Sequence, residues 1–241
     1  MKKTVIITGG NKGIGLDISK VFIDNGYSVF VGAREETKEL LDLSGDVTFV
    51  RTDVKKEGDH KKLVKAAIDK TGRLDTYINN AGFSAWRSIQ NIDEGFLNDM
   101  LDTNLKGVFW GCKSALEVMK DGASIVNVSS IAGKRGSANN SAYSSSKFGV
   151  NAITQSLAKE CGKRNIRVNG VCPVIIPTNG LIEALDKPES PANGNINEFI
   201  DEFCKTQAAL PRLPSGEEVG KSCLFLASDD ASAVTGQSIN V

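Results

Sequence analysis

The sequence predicts an α/β protein, a doubly wound parallel sheet of about seven strands with helices on both faces. Three observations predict it. Short β-branched apolar runs alternate with segments whose apolar residues recur at helical spacing. The runs are nearly continuous in apolar character, and a glycine cluster follows the first of them. Strands of this kind are buried on both faces, where crossover helices cover them.

Thr4–Thr8 reads as the first strand. Ile14, Ile18, Val21 and Phe22 then fall at i, i+4, i+7 and i+8, one face of a helix that Asn25-Gly26 closes. Ser28–Ala33 is the second strand and Val47–Thr52 the third, followed by a helix through Leu63, Ala67 and Ile68 that stops at Thr71-Gly72. Leu74–Asn79 is the fourth strand, and a helical stretch around Leu105–Met119 leads to a fifth, Ser124–Ser129. Tyr143–Cys161 is a long helix, Arg167–Cys172 the sixth strand, Glu217–Ala227 a further helix and Ser238–Val241 a short last strand. All six prolines lie between Pro173 and Pro214, together with the polar run Asp186–Asn197. A long loop inside a compact domain is usually functional. Residues 1–241 are therefore expected to form one domain, with 179–209 as a flap over its site.

Composition removes several function classes. Twenty-nine basic side chains balance 29 acidic ones, without the basic excess of a nucleic-acid binder. No apolar run reaches the roughly 18 residues a membrane helix needs, and the one after Lys2-Lys3 is too short for an export signal. The five cysteines (Cys112, Cys161, Cys172, Cys204, Cys223) contain no Cys-x-x-Cys pair, the pattern of reduced thiols in a cytoplasmic protein. His60 is the only histidine, so neither a Ser-His-Asp triad nor a His-rich zinc site is expected. Metal, nucleic acid and membrane are therefore not expected as partners.

Thr8-Gly9-Gly10-Asn11-Lys12-Gly13-Ile14-Gly15 lies between the first strand and the first helix. Glycines at such a turn let backbone N–H groups approach a pyrophosphate, and the helix N-terminus adds partial positive charge. Tyr143 and Lys147, four residues apart on a predicted helix, share one face. A free phenol has a pKa near 10, and an adjacent ammonium is expected to lower it toward a working value.

These motifs resemble the short-chain dehydrogenase/reductase superfamily, in its compact single-domain branch. The family's Thr-Gly-x-x-x-Gly-x-Gly turn is matched by Thr8, Gly9, Gly13 and Gly15. Its Asn-Asn-Ala-Gly is Asn79-Asn80-Ala81-Gly82, and its Tyr-x-x-x-Lys is Tyr143 through Lys147. Asn104, Ser130, Arg167-Val168-Asn169 and Thr235-Gly236-Gln237 follow the pattern, so the resemblance covers essentially the whole chain. It implies a Rossmann-type fold, a nicotinamide cofactor and a catalytic set of Asn104, Ser130, Tyr143 and Lys147. Ser130 would hydrogen-bond the substrate oxygen, Lys147 would hold the nicotinamide ribose, and Asn104 would hold a water linking Lys147 to solvent. The cofactor set is Gly9, Asn11, Lys12, Gly13, Ile14, Gly15, Arg34, Asp53, Val54, Asn80, Ala81, Gly82, Tyr143, Lys147, Pro173 and Thr178, with Asp53 near the adenine and Thr178 near the carboxamide.

At the end of the second strand, where a carboxylate would bind the adenosine ribose of NAD, stand Ala33 and Arg34. With Lys12 they suit the extra phosphate of NADP. NADP(H) is therefore the expected cofactor, and Glu35 and Glu36 keep NAD(H) as the alternative. Val174 stands where the family carries glycine after Pro173, which predicts an altered local shape. The flap is longer than in the family's carrier-linked β-ketoacyl reductases and resembles members acting on small polar ketones, polyols or sugars. Lys163-Arg164 could dock an acidic carrier, Lys134-Arg135 could meet an anionic substrate, and Trp86 could line the pocket. By resemblance, the helices around Leu105–Met119 and Tyr143–Cys161 would pair with a second copy, giving a homodimer or homotetramer.

The expected activity is NADP(H)-dependent, reversible reduction of a small polar ketone, hydroxyketone or sugar-like compound. The alternatives are 3-oxoacyl-[acyl-carrier-protein] reduction and NAD-dependent alcohol or polyol oxidation. A non-catalytic nucleotide sensor is a different class, and such proteins typically lose the tyrosine or lysine that this chain keeps.

Overall fold

The computed structural model describes residues 2–241. Its strands are β1 (Thr4–Thr8), β2 (Ser28–Ala33), β3 (Val47–Arg51), β4 (Thr76–Asn79), β5 (Ser124–Val128), β6 (Arg167–Cys172) and β7 (Ser238–Asn240). Its helices are α1 (Gly13–Asp24), α2 (Lys38–Leu41), α3 (Glu57–Thr71), α4 (Glu94–Leu101), α5 (Gly107–Leu116), α6 (Ser141–Cys161), α7 (Asn179–Leu185), α8 (Ile196–Thr206) and α9 (Gly216–Ala227). All seven strands pair parallel in one sheet, in the order β3-β2-β1-β4-β5-β6-β7.

Strand alternation divides the core in two. Ile6, Phe30, Tyr77 and Ile125 point to the face covered by α3, α5 and α6, where they meet Leu63, Cys112 and Ile153. Val5, Ile7, Val29 and Val31 point to the face covered by α1 and α9, against Ile18, Phe22, Val219 and Leu226. The expected α/β sheet with helices on both faces is what the chain forms.

Local chemistry sets the helix ends. Ser215 and Glu218 form a reciprocal capping box at the start of α9, and Gly72 closes α3 at φ 72°. Buried His60 bridges the Tyr77 hydroxyl (2.7 Å) and the Val54 carbonyl (3.0 Å), a structural tie between α3 and β4.

Several bounds differ from the sequence reading: β3, β5 and β7 end one residue earlier than expected, and α6 begins two residues earlier, at Ser141. β4 begins at Thr76 rather than Leu74. The helical stretch around Leu105–Met119 starts earlier, as α4, and runs through a π-helical turn, Asp102–Lys106, into α5. The flap is not structureless, because Thr178 and Asn195 accept backbone N–H groups and start α7 and α8 within it.

Candidate active site

Beyond β1 and β4 the chain turns away in opposite directions, the switch point where doubly wound sheets bind ligands. The glycine turn sits there. Gly9 (φ 65°) and Gly13 (φ 52°) hold left-handed backbone conformations that side chains resist. A Cβ on Gly15 would lie 2.0 Å from the Gly9 carbonyl oxygen, and one on Gly9 would lie 2.9 Å from the Ala81 Cα. Asn80 locks the turn, its Nδ2 donating to the Thr8 carbonyl (2.9 Å) and the Gly9 carbonyl (3.2 Å). Thr8 Oγ1 in return accepts from the backbone N–H groups of Asn80 (3.0 Å) and Ala81 (3.1 Å). No side chain caps the N-terminus of α1, so its first N–H groups stay available to an anion. This compact cradle fits a dinucleotide pyrophosphate, and Thr178 closes its far side, 3.4 Å from where a Gly13 Cβ would be.

The other cofactor candidates ring the same edge. Asn11 is buried and donates to the Glu35 carbonyl (3.1 Å), while its own carbonyl accepts from Thr37 Oγ1 (2.6 Å). The turn is thereby tied to the segment after β2. Half-buried Ile14 lies in the first turn of α1. Lys12 and Arg34 are both exposed, and among the described residues neither enters an ion pair, nor do Glu35 and Glu36. Asp53 accepts from the Lys55 N–H (3.1 Å), and Val54 packs beneath Gly107. The Pro173 carbonyl accepts from the Ile131 N–H (3.0 Å).

Ser130 lies just past β5 and caps a short 3-10 turn, Ile131–Gly133, its Oγ accepting from Ala132 N–H (3.1 Å). Tyr143 and Lys147 project from the first two turns of α6. Lys147 is buried and donates from Nζ to the Val128 carbonyl (2.9 Å), with Nζ 5.8 Å from the centre of the Tyr143 ring. Burial lowers its pKa to about 8. Tyr143 departs from the expectation of a depressed pKa. Burial of the phenol pushes it up, and the Ser130 hydroxyl facing it pulls more weakly the other way. The ring is half-buried, so that upward push weakens wherever water reaches the hydroxyl.

Asn104 is buried in the π-helical turn, an irregularity frequent at functional sites. Its side chain grips the Phe83 backbone at both ends, accepting from the N–H (3.0 Å) and donating to the carbonyl (2.8 Å). A Gly82 Cβ would lie 3.0 Å from Asn104 Oδ1 and 3.6 Å from Lys147 Nζ. Asn104, Gly82, Lys147, Tyr143 and Ser130 are thus brought together beside the glycine turn. Sequence reasoning missed Phe83, whose position directly after the Asn-Asn-Ala-Gly motif could have drawn attention to it.

The rim modifies several readings. Lys134 donates to the Ser238 carbonyl (2.5 Å) and Arg135 to Gln207 Oε1 (3.1 Å), so both cations already serve their own chain. Arg164 is engaged likewise by the Leu116 carbonyl (3.2 Å) and by Asp121. Trp86 is half-buried. Val174 is not among the residues with positive φ, so valine fits there without backbone strain. Its N–H donates to the Val241 carbonyl (2.9 Å), extending the β6–β7 pairing.

Residues 3–189 match the family model for short chain dehydrogenases. A 3-oxoacyl-[acyl-carrier-protein] reductase of Chlamydia pneumoniae is 37% identical over 248 residues, covering 99% of this chain and 95% of the relative. The ligand-free aldohexose dehydrogenase of Thermoplasma acidophilum superposes with a TM-score of 0.89 at 29% identity, over 100% of this chain and 92% of that one. A variant of actinorhodin polyketide ketoreductase, solved with NADPH, gives a TM-score of 0.89 at 29% identity, over 100% and 95%. The chain belongs to the short-chain dehydrogenase family, oxidoreductases that act on CH–OH and ketone groups with a nicotinamide cofactor.

Proposed function

We propose that the chain reduces a ketone to a secondary alcohol, reversibly, with NADP(H), and that its substrate is a small polar ketone, hydroxyketone or sugar-like compound. The gathering of Ser130, Tyr143 and Lys147 beside a glycine cradle carries this reading. The bound cofactor supplies the hydride. Tyr143, a phenol whose protonated form burial favours further, gives its proton to the forming alkoxide. Ser130 Oγ donates to the same oxygen and stabilises the charge that develops there. Lys147 Nζ, beside Gly82 and Asn104, holds the ribose hydroxyls and returns a proton to the phenol. The Asn104 side chain is committed to Phe83, so its link to solvent water runs through its backbone.

Lys12 in the glycine turn and Arg34 just past β2, neither of them ion-paired among the described residues, support NADP(H). Residues 1–241 act as one domain, with 179–209 as its substrate lid. Leu97, Phe109 and Phe148 are exposed on α4, α5 and α6, which supports pairing with a second copy through these helices. Sedimentation as a monomer at micromolar concentration would overturn that pairing. The C. pneumoniae relative favours carrier-linked substrates as a second reading. Arg164, one of the two cations such docking would use, is already engaged by the Leu116 carbonyl and by Asp121.

The test follows NADPH consumption at 340 nm on β-ketoacyl thioesters and on small diketones, hydroxyketones and keto-sugars. Turnover confined to the polar ketones supports the reading, whereas turnover confined to thioesters moves the substrate to the second. Tyr143→Phe loses turnover but keeps cofactor binding, and a variant that stays active removes Tyr143 from the mechanism. Arg34→Ala narrows the preference for NADPH over NADH, and an unchanged ratio removes Arg34 from cofactor choice.

A further inference from the structure

Three segments border the site and lie far apart in sequence: the loop after β4, the loop after β5, and the flap. One flap residue touches both of the others. Glu189, between Pro188 and Pro191, accepts the Ser88 N–H at Oε2 (2.6 Å) and Asn91 Nδ2 at Oε1 (3.1 Å). Its backbone carbonyl accepts from Asn139 Nδ2 (3.0 Å), and the Asn139 carbonyl accepts from the Arg87 N–H (2.6 Å), closing the ring of contacts. Glu189 holds this position at φ 69°, a left-handed conformation unfavourable for a residue with a side chain. Such a backbone persists where surrounding contacts over-determine it.

The connections on either side of the carboxylate are also anchored. Buried Ser190 donates to the Leu185 carbonyl (2.5 Å), which fixes the chain between α7 and Glu189. Arg135 reaches Gln207 from the loop after β5 and fastens the far end of α8. The flap is thus held at two ends, by the Arg135 guanidinium at one and by two hydrogen bonds to the Glu189 carboxylate at the other.

We propose that Glu189 is the latch of the substrate lid, a positioning residue that holds 179–209 closed over the site and sets KM while leaving the chemical step to Tyr143, Ser130 and Lys147. The proposal rests on the ketone-reductase reading above. The groups facing the carboxylate are the Ser88 N–H and hydroxyl, Asn91 and the Arg87 guanidinium, all of which favour the charged form. The latch is therefore fully formed at neutral pH.

The test compares Glu189→Ala, Glu189→Gln, Asn91→Ala and the double variant Glu189→Ala/Asn91→Ala in the full chain. Both hydrogen bonds to the Glu189 carboxylate reach solvent, which screens them well below the worth of buried charged pairs, so their joint loss is roughly tenfold and Glu189→Ala raises KM about tenfold with kcat within about twofold. Glu189→Gln keeps one acceptor and recovers part of that rise. Asn91→Ala raises KM less, and the double variant equals Glu189→Ala alone, because both substitutions remove one contact. An unchanged KM in Glu189→Ala, or effects that multiply in the double variant, would overturn the latch. Amide hydrogen exchange in α8 gives a readout independent of turnover. It speeds up in Glu189→Ala without substrate if the latch holds the lid, and unchanged exchange refutes it. A protein inactive on every ketone whose exchange still responds would refute the function and keep the latch.

Discussion

The glycine turn makes a prediction in which the same substitution acts with opposite sign at two positions. Gly15→Ala places a Cβ 2.0 Å from the Gly9 carbonyl oxygen and 2.5 Å from Asn80 Nδ2, both far inside van der Waals contact. The turn must open. Opening costs about 1–3 kcal/mol as overpacking, and displacing Asn80 forfeits two hydrogen bonds worth about 1 kcal/mol each. The sum, about 4 kcal/mol, lowers Tm by roughly 8–16 °C in a chain of this length. Gly58, near the start of α3, has nothing within 4 Å of its virtual Cβ. Gly58→Ala therefore gains helix propensity and raises stability by up to about 1 kcal/mol. Thermal melts of both variants test the pair, with NADPH fluorescence titration of Gly15→Ala reading the loss of binding. A Gly15→Ala protein melting within about 2 °C of the parent, with unchanged NADPH affinity, would refute the close-approach reasoning.

Three further predictions rest on separate observations. Lys147, lowered to about 8 by burial, binds fewer protons in the folded than in the unfolded chain between pH 8 and the ordinary lysine value. Stability relative to Lys147→Met therefore rises with pH across that window and not below it; parallel pH dependences in urea melts would contradict this. Asn127 accepts from Asn79 Nδ2 and donates to Thr154 Oγ1, both at 2.9 Å, so Asn127→Ala breaks two buried hydrogen bonds and costs about 2–4 kcal/mol in urea unfolding. Val174 is free of left-handed strain, so Val174→Gly lowers stability by about 0.5–1 kcal/mol. A gain in Tm would mean that the valine is strained after all.

Legibility followed the range of the interactions involved. β1, the glycine turn and α1 were readable because each depends on neighbours a few residues away: apolar strand residues, glycines at a turn, an i, i+4 stripe. The Tyr143–Lys147 pair was readable for the same reason. The flap was not. α7 and α8 start on Thr178 and Asn195, residues equally at home in loops, and the flap is tied down by Glu189 meeting Ser88 and Asn91, 101 and 98 positions away. The π-helical turn at Asn104 was equally hidden, since it disturbs the apolar stripe too little to separate it from an α-helix. Lys134 and Arg135 looked like free cations because their partners, a carbonyl of β7 and Gln207, come from remote segments.

The proposed catalytic pair, Tyr143 and Lys147, shows why proximity in sequence is not a pKa. Four residues of helix put an ammonium near a phenol, and charge alone would then lower the phenol. The fold adds burial, which acts on both groups in the same sense: it disfavours the phenolate and it disfavours the ammonium. Lys147 also gives a hydrogen bond to the Val128 carbonyl rather than to the hydroxyl. In the chain by itself desolvation therefore wins, and Tyr143 rests as an acid. That is the state ketone reduction requires, because the alkoxide must receive a proton as it forms. Oxidation, the reverse of the proposed reaction, asks for the phenolate instead and works against the same burial, so its rate is expected to need a higher pH than reduction does.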